Sequence, residues 1–235
     1  MNIEDGDIMK VTFYGHSCFL VEGNHKSILI DPFLKGNSQT SASTEDFKVD
    51  AIILSHGHED HFGDCLQIAS ENQCPIIATF ELAMYCQSQG ANVHPMHIGG
   101  SFQFEGFKVK LTQAFHGSSV KHGDQMIYTG MPAGILLTMN DHTFYHAGDT
   151  GLFGDMKLIG ELNEIDLAAL PIGDNFTMGP EDALIAAKWL QVNRVIPIHY
   201  NTFPIIEQDV NKFAKKLDDQ GMKCHILNSG EQVEI

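Results

Sequence analysis

Positive charge is what this sequence has least of. Only 14 of its 235 residues are Lys or Arg, against 30 Asp and Glu, for a formal charge of -16 at pH 7. Arg194 is the single arginine. A field of that sign repels phosphates, so neither nucleic acid nor an anionic membrane surface is expected as a partner. Long apolar runs are also missing. No window approaches the ~18 apolar residues of a membrane span, so no membrane insertion is expected. The opening segment MNIEDGDIMK has no apolar stretch and carries Glu4, Asp5 and Asp7, so it does not read as a signal peptide. Cysteine is sparse: Cys18, Cys65, Cys74, Cys86 and Cys224 are odd in number and without paired spacing. That argues against a disulfide framework and points to a reducing, cytoplasmic setting.

Against these shortages stand 13 histidines and a 43% hydrophobic content. The apolar fraction is enough for a real core, which excludes a disordered chain. Many imidazoles in a chain poor in cations suggest sites prepared for metal. Residues 1–8 read as a loose tail and 9–235 as a single domain. Short β-type runs recur: KVTFYG, CFLVEG, SILIDP, VDAIILS, PIIAT, FKVKLTQA, AGILLTM, HTFYHAG, DLAALPI and RVIPIHY. A polar stretch, KGNSQTSASTED, reads as a long loop. Helical spacing appears at 62–71, 80–89, 180–191 and 205–219. The clearest is 180–191, with Pro180 at a first helical position and acids after it. Strand-rich halves with interspersed helices predict a layered α/β (α+β) domain, consistent with two facing sheets and helices outside.

The chemistry sits in Ser55-His56-Gly57-His58-Glu59-Asp60-His61, directly after the apolar run AIIL. In extended backbone His56 and His58 leave on one face, and Gly57 allows a tight approach. Asp60 and His61 fall where the chain should turn into a helix, whose N-terminus favours an acid. Imidazole and carboxylate donors suit zinc first, with manganese or iron also possible. By composition the pattern arises by chance in roughly 0.3% of such chains, which counts against a surface histidine cluster. Four donors in six residues can serve two metal ions, His56 and His58 for one, Asp60 and His61 for the other.

Here the sequence resembles the metallo-β-lactamase superfamily. More narrowly, it is similar to small bacterial and archaeal metal-dependent hydrolases related to ascorbate-6-phosphate lactonase. The segments that carry the resemblance run nearly end to end: FYGHSCFLVEG with ILIDPF, SHGHEDHFGD, AFHGSS, YHAGDTGLFGDM, PIGDNFTMGPEDA and VIPIHYNTFP. The resemblance implies a four-layer αβ/βα sandwich of two mixed sheets with helices outside, and a dinuclear site between the sheets. It implies His56, His58 and His116 at one metal, Asp60, His61 and His199 at the other, and Asp149 bridging them. Read from the residues alone, His116 suits a structural role as well as a ligand, and Asp149 could open an Asx-type turn. His199 closes RVIPI, where a strand should end.

Other residues are placed around the site. His146 could compete with His116 for the first metal, but a pocket role or one orienting the ligands is preferred. Asp31 is read as orienting a ligating imidazole, or as a turn residue before Pro32. His16 is a pocket-facing residue that touches substrate, or a structural one. Asn175 and Thr177 contact substrate, or belong to a loop capping the next helix. His94 and His97 read as solvated loop residues. Two divalent ions would lower the pKa of a bridging water toward ~7 and polarise a substrate oxygen, with Asp60 both ligating and orienting the nucleophile. The expected enzyme is a dinuclear metal-dependent hydrolase using metal-bound hydroxide on a small ester, lactone or amide. The alternatives are a small-molecule phosphodiesterase and a non-catalytic, metal-stabilised sensor domain. A phosphate would need a clamp. Arg194 lies about 16 Å of strand from His199, which leaves Lys121 and Lys35 as the available cations. The sequence carries no signal for an oligomeric state.

Overall fold

Each half of the chain lays down antiparallel strands first and parallel strands after them. The computed structural model describes residues 8–235. The expected tail therefore lies, apart from Ile8, outside the described residues. In the first half, β1 (Lys10–Phe13), β2 (Phe19–Gly23) and β3 (Lys26–Ile30) form a meander, followed by β4 (Ala51–Ile53). Two short helices follow, α1 (Glu59–Phe62) and α2 (Cys65–Asn72). Then come β5 (Ile76–Thr79), α3 (Phe80–Ser88) and β6 (Val93–Met96). The antiparallel pairings end at β3, and β3 to β6 run parallel.

The second half repeats the scheme. It holds β7 (Ser101–Gln103), β8 (Lys108–Gln113), and a separate hairpin of β9 (Ser119–His122) with β10 (Gln125–Tyr128). Next are β11 (Ala133–Met139), β12 (His142–His146), α4 (Met156–Leu162) and β13 (Leu167–Pro171). The chain closes with α5 (Pro180–Trp189), β14 (Arg194–Ile198), α6 (Val210–Asp218), β15 (Lys223–Cys224) and β16 (Gln232–Glu234). Two seven-stranded sheets result, ordered β16-β1-β2-β3-β4-β5-β6 and β15-β14-β13-β12-β11-β8-β7. β16 crosses over to pair with β1.

The buried strands show why the sandwich has four layers. In β3, Ile28 and Ile30 join an apolar cluster between the sheets, whereas Leu29 joins one under α2 and α3. In β13, Leu167 and Ala169 face the same central cluster, and Ala168 and Leu170 pack against α5 and α6. Alternation with both faces apolar requires cover on both sides. Three apolar clusters thus separate helices, sheet, sheet and helices. α5 starts after Gly179 with Pro180, Glu181 and Asp182 in its first turn and has Lys188 in its last, matching the helix dipole. α6 is capped by Asp209, which accepts from the Lys212 N–H.

Three expectations need correction. The helix expected over 62–71 is two pieces, because Gly63 takes φ +40 where a Cβ would strike the Pro32–Phe33 backbone. The region expected as a helix over 205–219 begins with a 3-10 turn at Pro204–Ile206, and α6 starts only after Asp209. His94, expected in a solvated loop, belongs to β6; Lys121 and His122 lie on the β9–β10 hairpin. Neither β7 nor α4 stood out in the sequence pattern.

Candidate metal centre

The histidine-rich segment is folded by the end of β4 and by one glycine. Gly57 donates its N–H to Ser118 Oγ at 3.0 Å, and any Cβ there would meet Thr129 Oγ1 and Val120. Only glycine lets the backbone pass this close to the hairpin base, with His56 and His58 on either side. α1 follows at once, so Asp60 and His61 lie on its first turn. The remaining groups come from strand ends. His116 follows β8, Asp149 follows β12 through Ala147 and Gly148, and His199 follows β14. Asp31 follows β3, and His16 lies in the β1–β2 connection. His16, Asp31 and His199 take φ of +56, +46 and +52. Such left-handed backbone at non-glycine residues costs ~1–3 kcal/mol each and gathers at functional sites.

These residues meet around the Asp149 carboxylate. Oδ2 of Asp149 lies 3.0 Å from His199 Nε2, 3.6 Å from His116 Nε2 and 4.0 Å from His56 Nε2. Oδ1 lies 3.2 Å from His61 Nε2. Asp60 Oδ2 is 3.2 Å from His16 Nε2 and 3.6 Å from His199 Nε2. His58 Nδ1 is 3.0 Å from His56 Nε2 and 3.2 Å from His116 Nε2. Three groups have donor atoms close enough to share an ion: His56, His58 and His116; His56, His61 and Asp149; and His16, Asp60, His61 and His199.

The outer atoms of these rings are fixed by partners. Ser55 Oγ donates to Asp31 Oδ2 at 2.5 Å, and the Ser55 N–H donates to Asp31 Oδ1 at 2.8 Å. With its proton so committed, Ser55 Oγ accepts from His56 Nδ1 at 3.0 Å, while His61 Nδ1 donates to Asp31 Oδ2 at 2.8 Å. Both rings then turn Nε2 inward, the atom a metal-binding imidazole would present. His16 Nδ1 pairs with Thr202 Oγ1 at 2.8 Å.

The donor set fits divalent cations. His61 Nε2 and Asp149 Oδ1 are buried and make no hydrogen bond, despite standing 3.2 Å apart. Such orphaned atoms are costly unless a further group satisfies them. The charge pattern agrees. Burial alone would lower His61, but Asp149 and Asp31 carry it well above the usual imidazole range. His199, also pressed down by burial, is carried up to about 9 by Asp149 and Asp60. Burial raises Asp149, yet His199 and His61 hold its carboxyl well below the usual range. Burial and the crowding of other imidazoles push His56 well down, and burial lowers His58 and His116. Burial also takes His16 down to about 4, against the pull of Asp60.

Residues expected nearby divide clearly. Asp31 lies against His61. His16 is fully buried, with Nε2 3.2 Å from Asp60 Oδ2. His146 is buried with both ring nitrogens engaged: Nε2 donates to the Ser17 carbonyl at 2.9 Å, and Nδ1 accepts from the Gly148 N–H at 3.0 Å. It braces the backbone before Asp149 and does not face the cluster. Lys121 is exposed on the hairpin. Asn175 is exposed on the turn after β13, and Thr177 Oγ1 donates to the Met178 carbonyl. Arg194 is engaged elsewhere, by the Glu234 carbonyl and His225. The sequence reading missed Ser55, Thr202, Ser118 and Gln39. Gln39 accepts from the His16 N–H at 2.6 Å and donates to the Tyr200 carbonyl at 2.7 Å. Only the position of Ser55 beside His56 offered a signal.

A mixed two-sheet sandwich with a His/Asp cluster at its strand ends is a framework suited to metal chemistry. The model of the β-lactamase superfamily domain matches residues 26–200, and the chain belongs to that superfamily. Within it, the chain is 59% identical over 229 residues to a UPF0173 metal-dependent hydrolase of Bacillus thuringiensis strain Al Hakam. That match covers 97% of this chain and 100% of the relative. A relative from Bacillus cereus strain 03BB102, with the same description, matches to the same extent. Among solved structures, the metallo hydrolase Igni18 of Ignicoccus hospitalis superposes with a TM-score of 0.89 at 36% identity. It covers 97% of this chain and 98% of its own. This protein is a metal-dependent hydrolase of the β-lactamase superfamily.

Proposed function

We propose that the enzyme holds two divalent metal ions and hydrolyses a small ester, lactone or amide. His56, His58 and His116 would hold one ion, Asp60, His61 and His199 the other, with Asp149 shared. The observation that carries this reading is the Asp149 carboxylate, whose two oxygens reach imidazoles of both groups within 4.0 Å. Zinc suits an imidazole and carboxylate set best, with manganese and iron next. Divalent ions there would supply Lewis acidity, lowering the pKa of water toward ~7 and polarising a substrate oxygen.

The side chains do the positioning. Asp31 and Ser55 fix the tautomers of His61 and His56. His16 holds Asp60 Oδ2 at 3.2 Å, which would leave Oδ1 to ligate and to orient the attacking water. Despite burial, the neighbouring His16 and His199 imidazoles keep the Asp60 carboxyl well below the usual range, and so ionised. Asp60 keeps 26% of its side chain exposed, so substrate and water reach it from outside. The phosphodiester reading is weaker because the single arginine is engaged at the other end of β14. A sensor domain without catalysis has no need of so complete a donor set. The five free cysteines suit a reducing compartment.

The test is turnover by the zinc-loaded protein of a panel of lactones, aryl esters and bis-p-nitrophenyl phosphate. Lactone or ester hydrolysis that disappears on chelation and in Asp60→Ala is expected. Activity surviving both treatments contradicts the mechanism. Phosphodiester turnover far above every ester overturns the substrate class.

A further inference from the structure

The cluster is sealed on one side and open on the other. His16, His56, His61, Asp149 and His199 are buried, whereas His58, Asp60 and His116 are only half-buried. Anything that reaches the centre arrives from the His58–Asp60–His116 side.

Two exposed phenylalanines are carried by loops tied to one residue next to the cluster. Phe115 immediately precedes His116 and is 69% exposed. Its N–H donates to Thr150 Oγ1 at 2.9 Å, and its carbonyl accepts from the Gly151 N–H at 3.1 Å. Phe176 is 53% exposed on the turn between β13 and α5. That turn starts at Gly173, packed against His199 so closely that no Cβ fits, and it is tied down where the Met178 N–H donates to the Thr150 carbonyl at 2.8 Å. Thr150 directly follows Asp149. The two loops that carry these rings are thus tied by their backbones to the residue after the central carboxylate, Phe115 directly before His116 and Phe176 two residues before the Met178 tie. Single exposed apolar residues are ordinary, but a pair pinned around a site marks a ligand contact.

Charge narrows the ligand further. Segments 113–118, 149–151 and 173–178 contain no Lys or Arg, and the last carries the exposed Asp174. An anionic tail finds no partner there and meets a like charge. We propose that Phe115 and Phe176 form an apolar clamp at the mouth of the site, selecting uncharged substrates whose reactive carbonyl carries an alkyl chain or aryl group. The inference rests on the hydrolase reading above and names the substrate class that reading leaves open.

Alkyl hydroxamates of two, four, six and eight carbons test it, because the hydroxamate chelates metal while the chain reports on the clamp. Dissociation constants for the zinc-loaded protein are measured by calorimetry. A fully buried methylene is worth about fourfold in affinity, so a clamp open on one side gives about twofold, or about 60-fold across the series. In Phe115→Ala and Phe176→Ala the gain should fall to about 10-fold or less, with acetohydroxamate binding unchanged. Both residues are exposed, and circular dichroism checks that the variants are folded. Phe102→Ala, an exposed ring on the edge strand β7, should keep the full gradient. A flat series in the unmodified protein overturns the clamp and leaves the hydrolase reading standing, as does a steep series that persists in the double Phe variant. A zinc-loaded protein that binds no hydroxamate of any length overturns the reading of the metal as open to a substrate oxygen, and the clamp with it.

Discussion

The His61 side and the His58 side of the cluster use the same residue types but are supported differently. His61 is buried, with its outer nitrogen held by Asp31 and its inner one facing Asp149. His199 is fixed through its backbone as well, its N–H donating to the His16 carbonyl at 2.9 Å. His58 is half-buried, and its Nδ1 meets only the nitrogens of His56 and His116. One side is therefore part of the protein's framework, with ionisable groups whose burial depends on each other. The other has His56 buried and held by Ser55 but presents His58 and His116, only half-buried, at the opening, free to adapt to an ion and a substrate. Stability should follow the first side, and both sides should matter equally for activity.

The largest effect is expected from Asp149→Ala. It leaves His61 and His199 buried without their shared carboxylate, and breaking such a pair costs about 3–5 kcal/mol. Urea denaturation of the metal-free protein measures this, and a loss below about 1 kcal/mol removes the contrast between the sides. Metal itself comes next. Zinc at a thousand times its Kd should raise stability by about 4 kcal/mol over the chelated protein, read as a rise in Tm. Asp31→Ala frees Ser55 and the outer nitrogen of His61, and metal affinity should fall about 10–100-fold in competition with a chelating dye. His58→Ala should abolish turnover while shifting the stability of the metal-free protein by less than about 1 kcal/mol. A loss like that of Asp149→Ala would make the two sides alike. Lys121→Ala, exposed on the hairpin, should stay within about 0.5 kcal/mol and leave ester turnover unchanged.

The same division explains what could be read from the sequence. His56 to His61 lie in one run after a buried strand, so their local spacing carried the chemistry. His116, Asp149 and His199 are single residues at separate strand ends, and alone each suited an ordinary turn or core role. The resemblance to a family, not spacing, brought them together. The groups that hold the ligands were further out of reach. Gln39 and Thr202 meet His16 across the fold, and Ser118 meets Gly57 across 61 positions. Nothing local in a serine or glutamine reports such a partner. The strands were legible because both faces of β3, β4, β13 and β14 are apolar, which their uninterrupted hydrophobic runs reveal. The break at Gly63 was not, because its cause is the backbone of Pro32 and Phe33, some thirty positions away.

The most direct test of the shared Asp149 site is the metal content of the protein after zinc loading and removal of free ion. About two equivalents per chain are expected, falling to about one in His58→Ala, which leaves the His61 side intact. A single equivalent in the unmodified protein, or two retained by His58→Ala, would contradict it.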